Sequence, residues 1–154
     1  MEIEMLVRLV IPDTTAITAF HTLERMGFSG LKKLRREDYY KFRARSSDFR
    51  KISKRLGNTD ILVNANKNRF ETIQDGKKPE PKENEIRILV QDTDSRDEGM
   101  LSVLRNRLGL KELEGMERGV LWTLTLDTED REKTANEIAE RFLANKHYQE
   151  YRIW

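Results

Sequence analysis

The chain has 154 residues, no cysteine, and 29 basic against 27 acidic side chains, a net charge of +2. That length holds one ordinary domain or two small ones of about 70 residues each. The missing thiols exclude a disulfide framework and thiolate metal sites, and the near balance of charge excludes a global nucleic-acid signature. Charge is nonetheless uneven: residues 1–75 carry 15 bases and 10 acids, and residues 85–154 carry 11 and 15. The opening MEIEMLVRLVIPD reads as a first strand, without the basic start and long apolar run of a secretion signal, and a cytoplasmic protein is the expectation.

In chain order, Ile3, Met5, Val7, Leu9 and Ile11 alternate as a strand does, and Pro12 stops them. Ala16, Ala19, Phe20, Leu23 and Met26 then mark a helix with Thr14 or Thr15 as N-cap and Gly27 at its end. Leu31–Arg36 and Tyr39–Arg45 predict a hairpin. A second helix starts near Ser46 to Asp48, carries Phe49, Ile52 and Leu56, and is followed by a strand over Ile61–Asn64. Residues 71–84 (ETIQDGKKPEPKEN) lack periodicity and hold Gly76, Pro79 and Pro81, which predicts a linker.

The pattern then restarts. A shift of 81 positions places Met5, Val7 and Leu9 on Ile86, Ile88 and Val90. Leu101, Leu104 and Leu108 mark a helix before Gly109, and Leu113–Glu117 and Val120–Leu126 predict a second hairpin turning at Gly119. Asp127 or Thr128 is the expected cap of a last helix, whose stripe Ala135, Ile138, Ala139, Phe142 and Leu143 ends at Ala144 and Asn145 before a strand over Tyr148–Ile153. Each copy reads β-α-β-β-α-β. The expected fold is therefore α+β: two ferredoxin-like repeats, 1–70 and 85–154, each an antiparallel sheet with helices on one face.

Three stretches of the second copy resemble the PurS family, the small subunit of phosphoribosylformylglycinamidine synthase. RFLANKHYQEYRIW is similar to the family's terminal Leu-Ala-Asn and Tyr-containing strand, RDEGMLSVLRNRLGL to its acidic-Gly helix ending in Leu-Gly, and GMERGVLWTLTLD to its Arg-x-Gly hairpin. Lys146 stands where the family commonly has Pro. The resemblance implies a protein without chemistry of its own, with no cofactor, that bridges the glutaminase and synthetase subunits in purine biosynthesis. The family protein is usually a single copy that dimerises through its sheets, so a tandem chain implies an intrachain pseudo-dimer.

Catalytic and metal candidates are sparse: His21 and His147 have no companion His or Cys, and the acids Asp92, Asp94, Asp97 and Glu98 lack the later ligands of a calcium loop. No catalytic, cofactor or metal residue is assigned. Tyr40, Phe42, Trp122, Asn145, Tyr148, Tyr151 and Trp154 are the candidate partner-interface residues, because aromatic side chains concentrate where proteins meet. Two alternatives remain open. The basic run Lys32, Lys33, Arg35, Arg36, Lys41, Arg43, Arg45, Arg50, Lys51, Lys54 and Arg55, interleaved with Tyr39, Tyr40 and Phe42, fits an RNA-binding sheet, although YYKFRAR lacks the glycines that let RNA approach. The topology also fits a small-ligand regulatory module of the ACT type.

Overall fold

A computed structural model describes residues 1–154, and its class is α+β, with one six-stranded antiparallel sheet and four helices. The order along the chain is β1 (Glu2–Leu9), α1 (Thr14–Arg25), β2 (Leu31–Ala44), α2 (Phe49–Gly57), β3 (Asn68–Gln74), β4 (Glu85–Asp92), α3 (Glu98–Ser102), β5 (Leu113–Leu126), α4 (Arg131–Ile138) and β6 (Gln149–Ile153). Strand–helix–long strand–helix–strand thus occurs twice. Across the sheet the order is β3-β1-β2-β5-β4-β6, which leaves β3 and β6 as edges. No helix is long and apolar enough to cross a membrane.

Every helix begins on an aspartate. Asp13 Oδ1 accepts from the amides of Thr15 and Ala16, and Asp48, Asp97 and Asp130 accept from Lys51, Met100 and Lys133. These bonds satisfy amides that a helix start leaves without partners. The caps expected at Thr14 or Thr15 and at Asp127 or Thr128 are therefore corrected to Asp13 and Asp130. At the other ends, α3 and α4 widen into π-type turns over Val103–Arg107 and Ala139–Leu143, where the Leu108 and Ala144 amides reach back five residues. Gly27 and Gly109 follow with φ of +99° and +74°, a conformation that a Cβ disfavours.

The two expected hairpins are not formed: β2 and β5 each run unbroken for 14 residues. Gly119 serves close approach instead of a turn, since a Cβ there would lie 2.8 Å from the Val90 carbonyl oxygen on β4. Arg36–Asp38, which has a turn-like polar composition, stays in the strand because Arg36 pairs with Asp13 at 3.1 Å and Glu37 lies 3.9 Å from Arg35. The third strand is also displaced. Ile61–Asn64 is turn, with Leu62 and Val63 buried, and β3 instead takes in residues 71–74, read from sequence as the start of the linker. The bend after it is made by Asp75 and Gly76, both at positive φ.

The chain folds into two compact units, neither of them a consecutive piece of sequence. The first comprises Met1–Ile11, Asp38–Pro79 and Ser95–Arg118; the second comprises Pro12–Glu37, Glu80–Asp94 and Gly119–Trp154. In the first, Ile3, Met5 and Val7 of β1 and Tyr40, Phe42 and Ala44 of β2 pack with Ile52 and Leu56 of α2, Leu101 of α3 and Leu104 of the π-type turn that follows it. In the second, Ile88 and Val90 of β4 and Trp122, Leu124 and Leu126 of β5 pack with Ala16, Ala19 and Leu23 of α1, Ala135 and Ile138 of α4, and Ala139 of the π-type turn that follows it. Thus α1 follows β1 in sequence yet covers the unit of β4, and α3 follows β4 yet covers the unit of β1. Burial at about 25 cal/mol per Å² of apolar surface drives both cores.

Candidate partner-binding edge

The end of the second unit is a helix stop, a locked turn and an edge strand. Asn145 organises the turn. Its side-chain Oδ1 accepts from the His147 amide at 3.0 Å, its carbonyl accepts from the Gln149 amide at 2.7 Å, and its own amide donates to Gln149 Oε1 at 2.9 Å. A short polar side chain that bonds to backbone two residues on favours such a turn. The Thr93 amide then donates to the Tyr148 carbonyl at 2.9 Å, which aligns β6 on β4 from Asp92↔Gln149 to Ile88↔Ile153.

β6 pairs on one side only, so its other side presents unpaired backbone donors and acceptors, the feature that lets a sheet take another strand. Tyr148 is 58% exposed beside it and Ile153 is 39% exposed on it. Tyr151 is half-buried against the second core and donates its hydroxyl to Glu140 Oε1 at 3.0 Å; burial first, then this carboxylate, raises its pKa. Trp154 is half-buried, with the Arg87 guanidinium 5.4 Å from its ring centre.

Four of the seven sequence-predicted interface residues therefore lie along β6 and its flanks: Asn145 and Tyr148 in the turn before it, Tyr151 on it and Trp154 just past its end. The other three do not join them. Tyr40 and Phe42 are buried in the first core, stacked with centroids 6.3 Å apart, and Trp122 is buried in the second. Arg118 lies 5.8 Å over the Tyr40 ring and donates to Asp97 Oδ2 at 3.0 Å. Burial, reinforced by Asp38, pushes the Tyr40 phenol up, whereas the Met100 amide first and Arg118 second hold the Asp97 carboxyl down.

Comparison with protein-family models and with curated proteins gives no match. Residues that sequence reasoning missed form a matching turn at the first unit's edge: Asn64 Oδ1 accepts from the Asn66 amide at 3.0 Å, the Asn64 amide donates to Asn68 Oδ1 at 2.8 Å, and the Asn64 carbonyl accepts from the Asn68 amide at 2.7 Å. The usable signal was an Asn followed four residues later by Asn or Gln.

Part of the basic run is engaged within the protein: Arg36 with Asp13, Lys41 with Glu2, Arg43 and Arg45 with Glu114, and Arg55 with Glu112 and the Gly109 carbonyl. Its aromatics Tyr39, Tyr40 and Phe42 are all buried, so base stacking on them is not open to the folded sheet. No three His, Asp or Glu side chains cluster as a metal site; His21 and His147 are exposed, and Asp97 is occupied by its cap and Arg118.

Proposed function

We propose that the chain is a tandem PurS-like protein, folded as an intrachain pseudo-dimer, that acts without chemistry of its own as an assembly subunit in the cytoplasm. It bridges the glutaminase and synthetase subunits of phosphoribosylformylglycinamidine synthase. The observation that carries this reading is the ending of α4, Leu143-Ala144-Asn145, the locked turn and the Tyr151-bearing edge strand, where the sequence is most PurS-like and a pairing edge is free.

Equivalent local geometry supports the duplication. Asp48 and Asp130 cap the later helix of each copy, and Arg36 and Arg118 each pair with the aspartate capping the earlier one, Asp13 and Asp97. Asp48 and Asp130, and likewise Arg36 and Arg118, are 82 positions apart, and Asp13 and Asp97 are 84 apart. The edge pairings Leu9↔Asn68 and Asp92↔Gln149 relate the first strands by 83 positions, two more than the sequence superposition. Alternation with period two is blind to a two-residue slip, because the same face stays inward. The exchanged helices α1 and α3 support a pseudo-dimer, since each core takes one helix from the other copy.

The reading is tested by mixing the purified chain with the glutaminase and synthetase subunits of its own organism and measuring masses by light scattering after gel filtration. A complex containing all three proteins is expected. Co-elution of the two enzymes to the same extent without this chain would reject the bridge.

A further inference from the structure

The second unit holds a cleft of about 530 Å³ beside α1, within the size range of small-molecule sites, roughly 300–1,000 Å³. Phe20 of α1, Lys32, Lys33 and Arg35 of β2, Lys82 ahead of β4, and Thr123 of β5 line it. Four cations thus face a single carboxylate, Glu85. Lys33 and Lys82 have no ion-pair partner, Lys32 donates only to the Ser29 carbonyl at 3.2 Å, and Arg35 is 3.9 Å from Glu37. Thr123 is 4% exposed, yet its hydroxyl oxygen has no hydrogen-bond partner. A buried hydroxyl left unpaired is unfavourable, and this one lies in the wall of a cationic cleft.

The first unit contains the counterpart, and its chemistry is different. Positions 82 residues on from Lys32, Lys33 and Arg35 are Glu114, Gly115 and Glu117, and 82 before Thr123 is Lys41; all four line a cleft of about 360 Å³. There the charges satisfy one another, Lys41 with Glu2 at 3.0 Å and Arg43 with Glu114 at 3.6 Å. The same place in the fold is self-neutralised in one unit and left cationic in the other, so an anion is what the second cleft lacks. An apolar ring surface beside the cations fits a flat body attached to that anion.

We propose that the second-unit cleft binds a nucleoside monophosphate. Its phosphate dianion pairs with Lys33, Lys82 and Arg35, its base lies against Phe20, and the Thr123 hydroxyl gains the partner it lacks. This inference does not rest on the assembly reading, and its failure would leave the three-protein complex untouched.

Isothermal titration calorimetry of the full chain with the four ribonucleoside 5′-monophosphates, adenosine and inorganic phosphate tests it. At least one nucleotide is expected to bind about tenfold or more tightly than adenosine or phosphate alone, more weakly as salt is raised. The double variant Lys33→Ala/Lys82→Ala should lose about tenfold in affinity with an unchanged thermal midpoint. Thr123→Val should weaken binding several-fold while the ligand-free midpoint holds or rises, a combination that a purely structural threonine would not give. No binding of any nucleotide at millimolar concentration, binding indifferent to the lysine changes, or phosphate binding as tightly as every nucleotide would each overturn the proposal.

Discussion

The two clefts differ in how their charges are met. In the first unit, Lys41 and Arg43 meet Glu2 and Glu114, and the neighbouring Arg118 bridges Tyr40 and Asp97, so that these charges have partners within the protein. In the second, Thr123 replaces the lysine and Lys32, Lys33 and Arg35 stand where Glu114, Gly115 and Glu117 stand in the other. The lesson is that one unit pairs the charges of its cleft internally while the other leaves cations without an acidic partner. The edges differ less: Phe70 of β3 lies against Gly57, where a Cβ would meet the ring, and is 43% exposed, whereas Tyr148, just before β6, is 58% exposed.

The comparison breaks most readily at the cores. Leu56 and Ile138 are both fully buried, one in each unit and 82 positions apart. Replacing either with Ala should cost about 2–5 kcal/mol in urea unfolding. Because β2 and β5 contribute to both units, each variant should shift a single transition. Two separated transitions would mean that the units unfold independently.

A smaller effect is expected at the caps. Asp97→Ala and Asp13→Ala each remove an N-cap and strand an arginine, Arg118 and Arg36, and each should cost about 1–2 kcal/mol. The Asp97 carboxyl titrates lower folded than unfolded, so its contribution is present above the ordinary carboxylate range and is lost as pH falls through the folded value. The gap in thermal midpoint between the wild type and Asp97→Asn should therefore narrow as pH is lowered from about 6 towards 3. A gap that widens on acidification would contradict the assigned direction.

The turns come next. Asn64→Ala and Asn145→Ala each remove one side-chain acceptor from equivalent turns and should cost about 0.5–1.5 kcal/mol apiece in the same unfolding assay. Markedly unequal losses would argue against their equivalence. The smallest change in stability, within about 0.5 kcal/mol, belongs to Tyr148→Ala, whose side chain is largely in water. The same variant should weaken the three-protein complex, and an unaffected complex would move the interface away from this end of β6.

Strands β1 and β4, the helices and the final turn were legible because strong periodicity and local turn chemistry report them directly. Strand β3 was not, since an edge strand with only Ile73 buried has the composition of a linker. The length of β2 and β5 was hidden for a different reason. Polar Arg36 and Glu37 imitate a turn unless the carboxylate and guanidinium that neutralise them are known, and one of these, Asp13, is 23 residues away. The exchange of α1 and α3 leaves no local mark, because an apolar stripe states that a helix must be covered without stating by which strands. Asn145, Tyr148, Tyr151 and Trp154 were within reach as a contiguous aromatic ending, whereas the cationic cleft depends on α1, β2 and β5 coming together and could be found only in the fold.

The assembly reading meets its most direct test in turnover by the reconstituted synthase, with glutamine and with free ammonia as nitrogen source. Adding this chain is expected to raise glutamine-dependent turnover and to leave ammonia-dependent turnover unchanged, since only the former needs a bridge between subunits. Equal glutamine-dependent rates with and without the chain would contradict it.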